Sequence, residues 1–184
     1  MSQTTKKKTS SASEKRLATL RRQIDALDSR LVLLINQRSL LAEAIGRLKA
    51  ESGSALYVPE REQQVLARLQ KRNRGPVSQK SLVAIYREII SAALALEGGL
   101  KIGLLDAGDG VVRAVARDHF GASAKYIAGK SPAQAVRALT QGRWNALCIS
   151  EKDRLAASAA LQSGRLRVSG APQRGCVIWV RGEP

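Results

Sequence analysis

Between Ser13 and about Lys49 the chain holds no Pro and a single Gly, Gly46, and its apolar residues recur at a fixed step. Leu17, Leu20, Ile24, Leu27, Leu31, Leu34 and Ile35, then Leu41, Ile45 and Leu48, fall mostly three or four apart, the period of an amphipathic helix. At about 1.5 Å per residue such a helix would span roughly 55 Å. That is longer than a small domain is wide. Its apolar stripe therefore needs a partner, and the reading is a second copy of the same chain.

Two cations interrupt the stripe. Arg38 and Lys49 occupy slots where the step of three or four calls for an apolar side chain, and they lie three turns apart on one face. Either they lay their stems along the stripe with the charge in water, or they meet an anionic ligand. A guanidinium left unpaired in an interface would be expensive, which favours the ligand for Arg38.

A chain of 184 residues with 44% hydrophobic residues is one large or two small domains with a real core. The net charge of +16 suggests an anionic partner, namely nucleic acid, a membrane surface or an acidic metabolite. Aromatic residues at 3% leave few rings on which bases could stack, so nucleic acid is the weakest of the readings. Cys148 and Cys176 have no metal-site spacing and read as reduced thiols of a cytoplasmic protein. No apolar run approaches a membrane span.

Residues 1–13 are rich in Ser, Thr and Lys without the apolar core of a signal peptide, and read as a disordered basic tail. After a connector at Ser52-Gly53-Ser54, Pro59-Glu60-Arg61-Glu62 opens a second helix, with proline at its first position and two carboxylates at the positive end of its dipole. Asn73-Arg74-Gly75-Pro76 stops it. Ser78 caps a third helix whose expected buried face is Leu82, Ile85, Ile89, Ala93, Leu96 and Glu97, ended by Gly98-Gly99. Glu97 is then either a polar residue at a fraying end or a carboxyl in an apolar, cation-rich pocket. Arg21 and Arg38 lie seventeen residues apart on one helix, about 25 Å along its axis. They cannot hold one small ligand from the same chain.

The segments Leu20-Arg21-Arg22-Gln23-Ile24-Asp25-Ala26-Leu27-Asp28, Gln37-Arg38, Gly46-Arg47-Leu48-Lys49, Pro59-Glu60-Arg61-Glu62 and Arg87-Glu88-Ile89-Ile90-Ser91-Ala92-Ala93-Leu94-Ala95-Leu96-Glu97 resemble the all-helical chorismate mutases. The likeness is to the mutase domain that heads bifunctional chorismate mutase–prephenate dehydratases, and it covers residues 14–98. It implies a three-helix domain that forms an intertwined homodimer with two equivalent sites, and no cofactor or metal. Arg38, Lys49 and Arg61 would line the site of one chain, with Arg21 supplied by the other, which agrees with the distance argument. The arginines would hold the two carboxylates of chorismate, Glu62 the ring hydroxyl, and Lys49 and Glu97 the ether oxygen of the breaking bond. Val58 and Ala93 stand where some members have an acidic residue and a serine, as auxiliary contacts.

The implied reaction is a pericyclic conversion of chorismate to prephenate, in phenylalanine and tyrosine biosynthesis. The protein would select a conformer and stabilise developing charge, with Lys49, Glu97 and Arg38 in the catalytic roles. Many members have Gln at the position of Glu97. A carboxyl there donates to the ether oxygen only when protonated, so activity is expected to fall as pH rises through its titration. A different class of reading is a silent module that senses chorismate or prephenate without converting it.

In residues 99–184 strands alternate with helices: strands at 101–106, 124–128, 144–150, 165–169 and 175–181, helices at 111–120, from Ser131-Pro132, and near 152–162. That pattern implies βαβ units in a small α/β domain with a mostly parallel sheet. The spacing of Gly103, Gly108 and Gly110 does not make a dinucleotide fingerprint. This half is similar to the start of a prephenate dehydratase domain. The turn that should read Gly-Pro-Glu-Gly-Thr reads Asp106-Ala107-Gly108-Asp109-Gly110, and Ser150-Glu151-Lys152-Asp153 replaces an expected Asn-Ser-Thr. With the Thr-Arg-Phe segment absent and too little chain for a second lobe, the expectation is a truncated domain without dehydratase activity.

Overall fold

The computed structural model describes residues 3–106, 110–154, 166–170 and 173–182, with the side chains of 3–12 left aside. Helix α1 runs Gln3–Ser52, α2 Pro59–Arg72 and α3 Gln79–Leu96. They are followed by β1 Lys101–Leu105, α4 Val111–Phe120, β2 Lys125–Ala128, α5 Pro132–Thr140, β3 Ala146–Ser150, β4 Leu166–Val168 and β5 Cys176–Arg181. Two compact units result, residues 1–40 and residues 41–184.

The first unit is the N-terminal part of α1. The helix starts ten residues earlier than the periodicity predicted, so the segment expected to be a disordered tail is helical from Gln3. Apolar periodicity marks only where a helix has something to bury. A lysine-rich segment without Pro or Gly can extend a helix while carrying no such stripe. The stripe itself is open: Leu20, Ile24, Leu27, Leu31 and Leu34 are each 50–58% exposed in the single chain.

The second unit combines the end of α1, helices α2 and α3, and a five-stranded sheet in the order β2-β1-β3-β5-β4. Strands β1, β2 and β3 are parallel, while β5 runs antiparallel to both β3 and β4. Four strands thus share one direction and β5 alone opposes them. On one face α4 buries Val112, Val115, Ala116 and Phe120 against Ile102, Leu104, Cys148 and Ile178. On the other, α5 buries Ala135, Val136 and Leu139 against Leu147, Ile149 and Trp144. Gly103 is required in β1 because a Cβ there would run into the Trp144 indole. The predicted helix near 152–162 is helical at 151–154, and its remainder lies outside the described residues.

Local signals set the helix ends. Gly53, at φ 66°, closes α1, with the Ser54 amide donating to the Lys49 carbonyl at 2.9 Å. Pro59 opens α2 after Val58, and Ser78 caps α3 by accepting from the Ser81 amide at 3.0 Å. The face of α3 differs in part from the expected one. Ala93 is buried, but Ile85 and Leu96 are exposed at 52% and 57%, while Ser91 is buried at 3%. The cause is α4 and the turn that follows it: Ser91 accepts from the Ser123 amide, Glu88 from the Ala122 amide, and Arg87 donates to the Asp118 carbonyl. At Gly121, with φ 76°, a Cβ would stand 2.5 Å from that of Ser91, so glycine lets the two helices meet. Leu56, Tyr57 and Leu94 join the core on the α4 face, and the junction expected at 98/99 therefore lies inside one packed unit.

Candidate active site

The second unit brings Lys49, near the end of α1, to Glu97, the C-cap of α3: Nζ lies 3.7 Å from Oε2. The Glu97 side chain is 7% exposed and that of Lys49 27%, so the pair is largely withdrawn from water. Lys49 also donates to the Leu56 carbonyl at 2.9 Å, which fixes its head between α1 and the connector. The seat for Glu97 is Gly46. A Cβ there would lie 2.8 Å from both Cβ and Cγ of Glu97 and 3.0 Å from its Cα. Helix α1 thus gives up a side chain one turn before Lys49 to admit the carboxyl of α3. Ala93, one turn back on α3, is buried at 2%.

Around the start of α2 the predicted residues separate. Val58 is half-buried and Arg61 exposed. Glu62 turns inward, where burial raises its carboxyl pKa against the opposing influence of Arg87 and of a hydrogen bond from Tyr57. Its neighbour Glu60 faces outward and pairs with Arg167 of β4 through both carboxylate oxygens. In the first unit Arg21 is exposed. Arg38 is half-buried, and its Nη1 is buried with no hydrogen-bond partner among the described residues.

Sequence reasoning missed a polar group next to Glu62. Tyr57, 8% exposed, places its hydroxyl 3.2 Å from Nε2 of His119 at the end of α4. Burial and then the Arg87 charge lower the His119 pKa to about 4. Burial, and then the Glu62 charge, hold the Tyr57 proton on well above the ordinary phenol range. The available signal was the spacing of Arg87, Glu88 and Ser91, a polar face on α3 opposite the apolar one. Among the described residues no group of three His, Cys, Asp or Glu is placed to hold a metal ion.

Residues 20–98 match the family model described as chorismate mutase type II. Over that span the chain is similar to the type II chorismate mutases. Relatives with the double name bifunctional chorismate mutase/prephenate dehydratase agree. Those of Aquifex aeolicus (strain VF5) and Neisseria gonorrhoeae (strain ATCC 700825 / FA 1090) are 38% identical over 114 residues and 39% over 108. The matches cover 60% and 59% of this chain, and 32% and 29% of those proteins. The chain therefore spans about a third of the length of the curated relatives it matches. A solved chorismate mutase (form II) from Thermus thermophilus is 35% identical, covering 45% of this chain and 94% of that one at a TM-score of 0.45. Within the mutase domain, the structure brings Lys49, Glu97 and Ala93 together. Among the described residues no helix is long and apolar enough to cross a membrane.

Proposed function

We propose that the chain is a chorismate mutase that converts chorismate to prephenate in the cytoplasm and works as a homodimer. The observation that carries this is the match of residues 20–98 to the mutase family together with the withdrawn Lys49–Glu97 pair inside that match. The dimer reading is supported by the open apolar stripe of α1, which water would otherwise cover at a cost of about 25 cal/mol per Å². Arg21 of one protomer completes the site of the other.

The mechanism is the one that the resemblance to the mutase family implies for these residues. Arg38, Arg61 and the partner subunit's Arg21 hold the two carboxylates, and Glu62 accepts from the ring hydroxyl. This selects the conformer in which the reacting carbons meet. As the ether bond breaks, negative charge grows on its oxygen. The Lys49 ammonium donates to it directly, and Glu97 donates as the protonated acid. Glu97 and Lys49 sit in a site shielded from water, where such donors act with less screening. Val58 and Ala93 flank the substrate without polar contact.

The chain carries no dehydratase activity in this reading. In place of the expected Asn-Ser-Thr, Ser150 caps a helical turn by accepting from the Asp153 amide at 3.0 Å and donating to its carboxylate at 2.7 Å. Asp106-Ala107-Gly108-Asp109-Gly110 lacks the expected turn residues, and 107–109 lie outside the described residues. The test is the loss of chorismate ultraviolet absorbance. Saturable loss with wild type and none with Lys49→Met is expected. No loss with wild type, from acidic to neutral pH, refutes the enzyme and leaves chorismate titration to assess a sensor.

A further inference from the structure

Buried Tyr57 and half-buried Glu62, Arg87 and His119 form a polar cluster that links the mutase helices to α4 of the α/β half. Its proton arrangement can be worked out. His119 is neutral at neutral pH, so one ring nitrogen carries a proton and the other does not. Nδ1 is buried and has no hydrogen-bond partner among the described residues. Buried N–H groups left without a partner are rarer in folded proteins than acceptors left without one, which favours the proton on Nε2. Nε2–H then donates to the Tyr57 oxygen at 3.2 Å, and the phenolic hydrogen is free to donate to the Glu62 carboxylate. The opposite assignment would leave Nδ1–H unsatisfied and set the tyrosine lone pairs against the carboxylate. The Arg87 guanidinium, tied to the Asp118 carbonyl at 3.1 Å, supplies positive charge beside the same group.

We infer that the α/β half serves the mutase reaction by positioning Glu62: His119 orients the Tyr57 hydroxyl, and Tyr57 holds the carboxylate toward the substrate hydroxyl. Tyr57 and His119 are positioning residues, since neither touches the reacting atoms. The inference rests on the mutase reading, which gives Glu62 its ligand. It assigns a task to a half of the chain whose own candidate motifs are replaced.

The test uses the full chain, with kcat and KM for chorismate measured for Tyr57→Phe, His119→Phe and their combination. Each is made in wild-type and Glu62→Gln backgrounds, with thermal unfolding followed for every variant. Tyr57→Phe should lower kcat/KM about tenfold, the worth of one hydrogen bond to a charged group. The loss should fall mainly on KM, because a hydroxyl contact is made before and during the rearrangement. The double variant should lose no more than Tyr57→Phe alone, and the effect should vanish in the Glu62→Gln background. Equal losses in both backgrounds, or a lower melting temperature with unchanged kcat/KM, assign the pair to packing and overturn the inference. If His119→Phe does not fold, Tyr57→Phe, which removes one oxygen, decides alone. A wild type that consumes no chorismate refutes the mutase reading itself, and the inference falls with it.

Discussion

Replacing Gly46 by alanine should invert the usual effect of that substitution. In a helix interior, Gly→Ala ordinarily stabilises by about 1 kcal/mol, because alanine loses less backbone freedom on folding. Here the new methyl would stand 2.8 Å from Cβ and Cγ of Glu97 and 3.0 Å from its Cα. Comfortable carbon contacts lie at about 3.5–4.0 Å, so something must give by roughly 0.7 Å or more. A side-chain tip could swing aside cheaply, but Cα cannot. Glu97 is the C-cap of α3, its amide bonded to the Ala93 carbonyl at 3.2 Å, so it moves with the last turn of that helix. Overpacking of this kind costs about 1–3 kcal/mol, which leaves Gly46→Ala less stable by roughly 0–2 kcal/mol after the helix gain. The functional effect is larger. Displacing Glu97 changes the 3.7 Å approach to Lys49, and a misplacement of about 1 Å can cost about 100-fold. Initial rates of chorismate consumption, read beside urea denaturation, should show kcat/KM down roughly 10–100-fold with most of the stability retained. A variant that is more stable by about 1 kcal/mol and fully active would refute the seating of Glu97 on Gly46.

The half-buried His119 should make the fold acid-sensitive. Its pKa is about 4 folded against 6.5 unfolded, so between these values the unfolded chain binds the proton first and stability falls as pH drops. The loss from this residue is on the order of 3 kcal/mol by pH 4, and Glu62, with its pKa raised by burial, acts in the opposite direction. Urea midpoints at pH 7 and pH 5 should diverge more for wild type than for His119→Gln; equal divergence would contradict the assignment. Glu97→Gln should keep mutase activity and flatten its pH profile, because an amide donates at every pH. If the wild-type rate falls with rising pH and the variant falls in parallel, another group is responsible.

The long helix was legible because one stripe repeats over ten turns, and the helix ends because Gly53 after α1, Pro59 at the start of α2 and Ser78 before α3 have local chemistry that neighbours cannot override. The approach of Lys49 to Glu97 was legible as two polar intrusions on apolar faces. The start of α1 was not, since a solvated extension has no periodicity to read. Nor was the exposure of Ile85 and Leu96: periodicity shows that a helix has an apolar face and not which neighbour, if any, covers it in one chain. The Tyr57–His119 contact joins residues 62 positions apart, and no local pattern encodes a pairing at that separation.

A dimeric mutase whose site takes Arg38 from one protomer and Arg21 from its partner is open to a direct test. Arg21→Ala and Arg38→Ala chains should each be inactive alone. Co-refolded from denaturant in equal amounts, about half of the dimers are mixed, and each mixed dimer holds one intact site of two. The account predicts recovery of about a quarter of the wild-type rate of chorismate consumption. No recovery, from chains shown by mass to have exchanged, would contradict it.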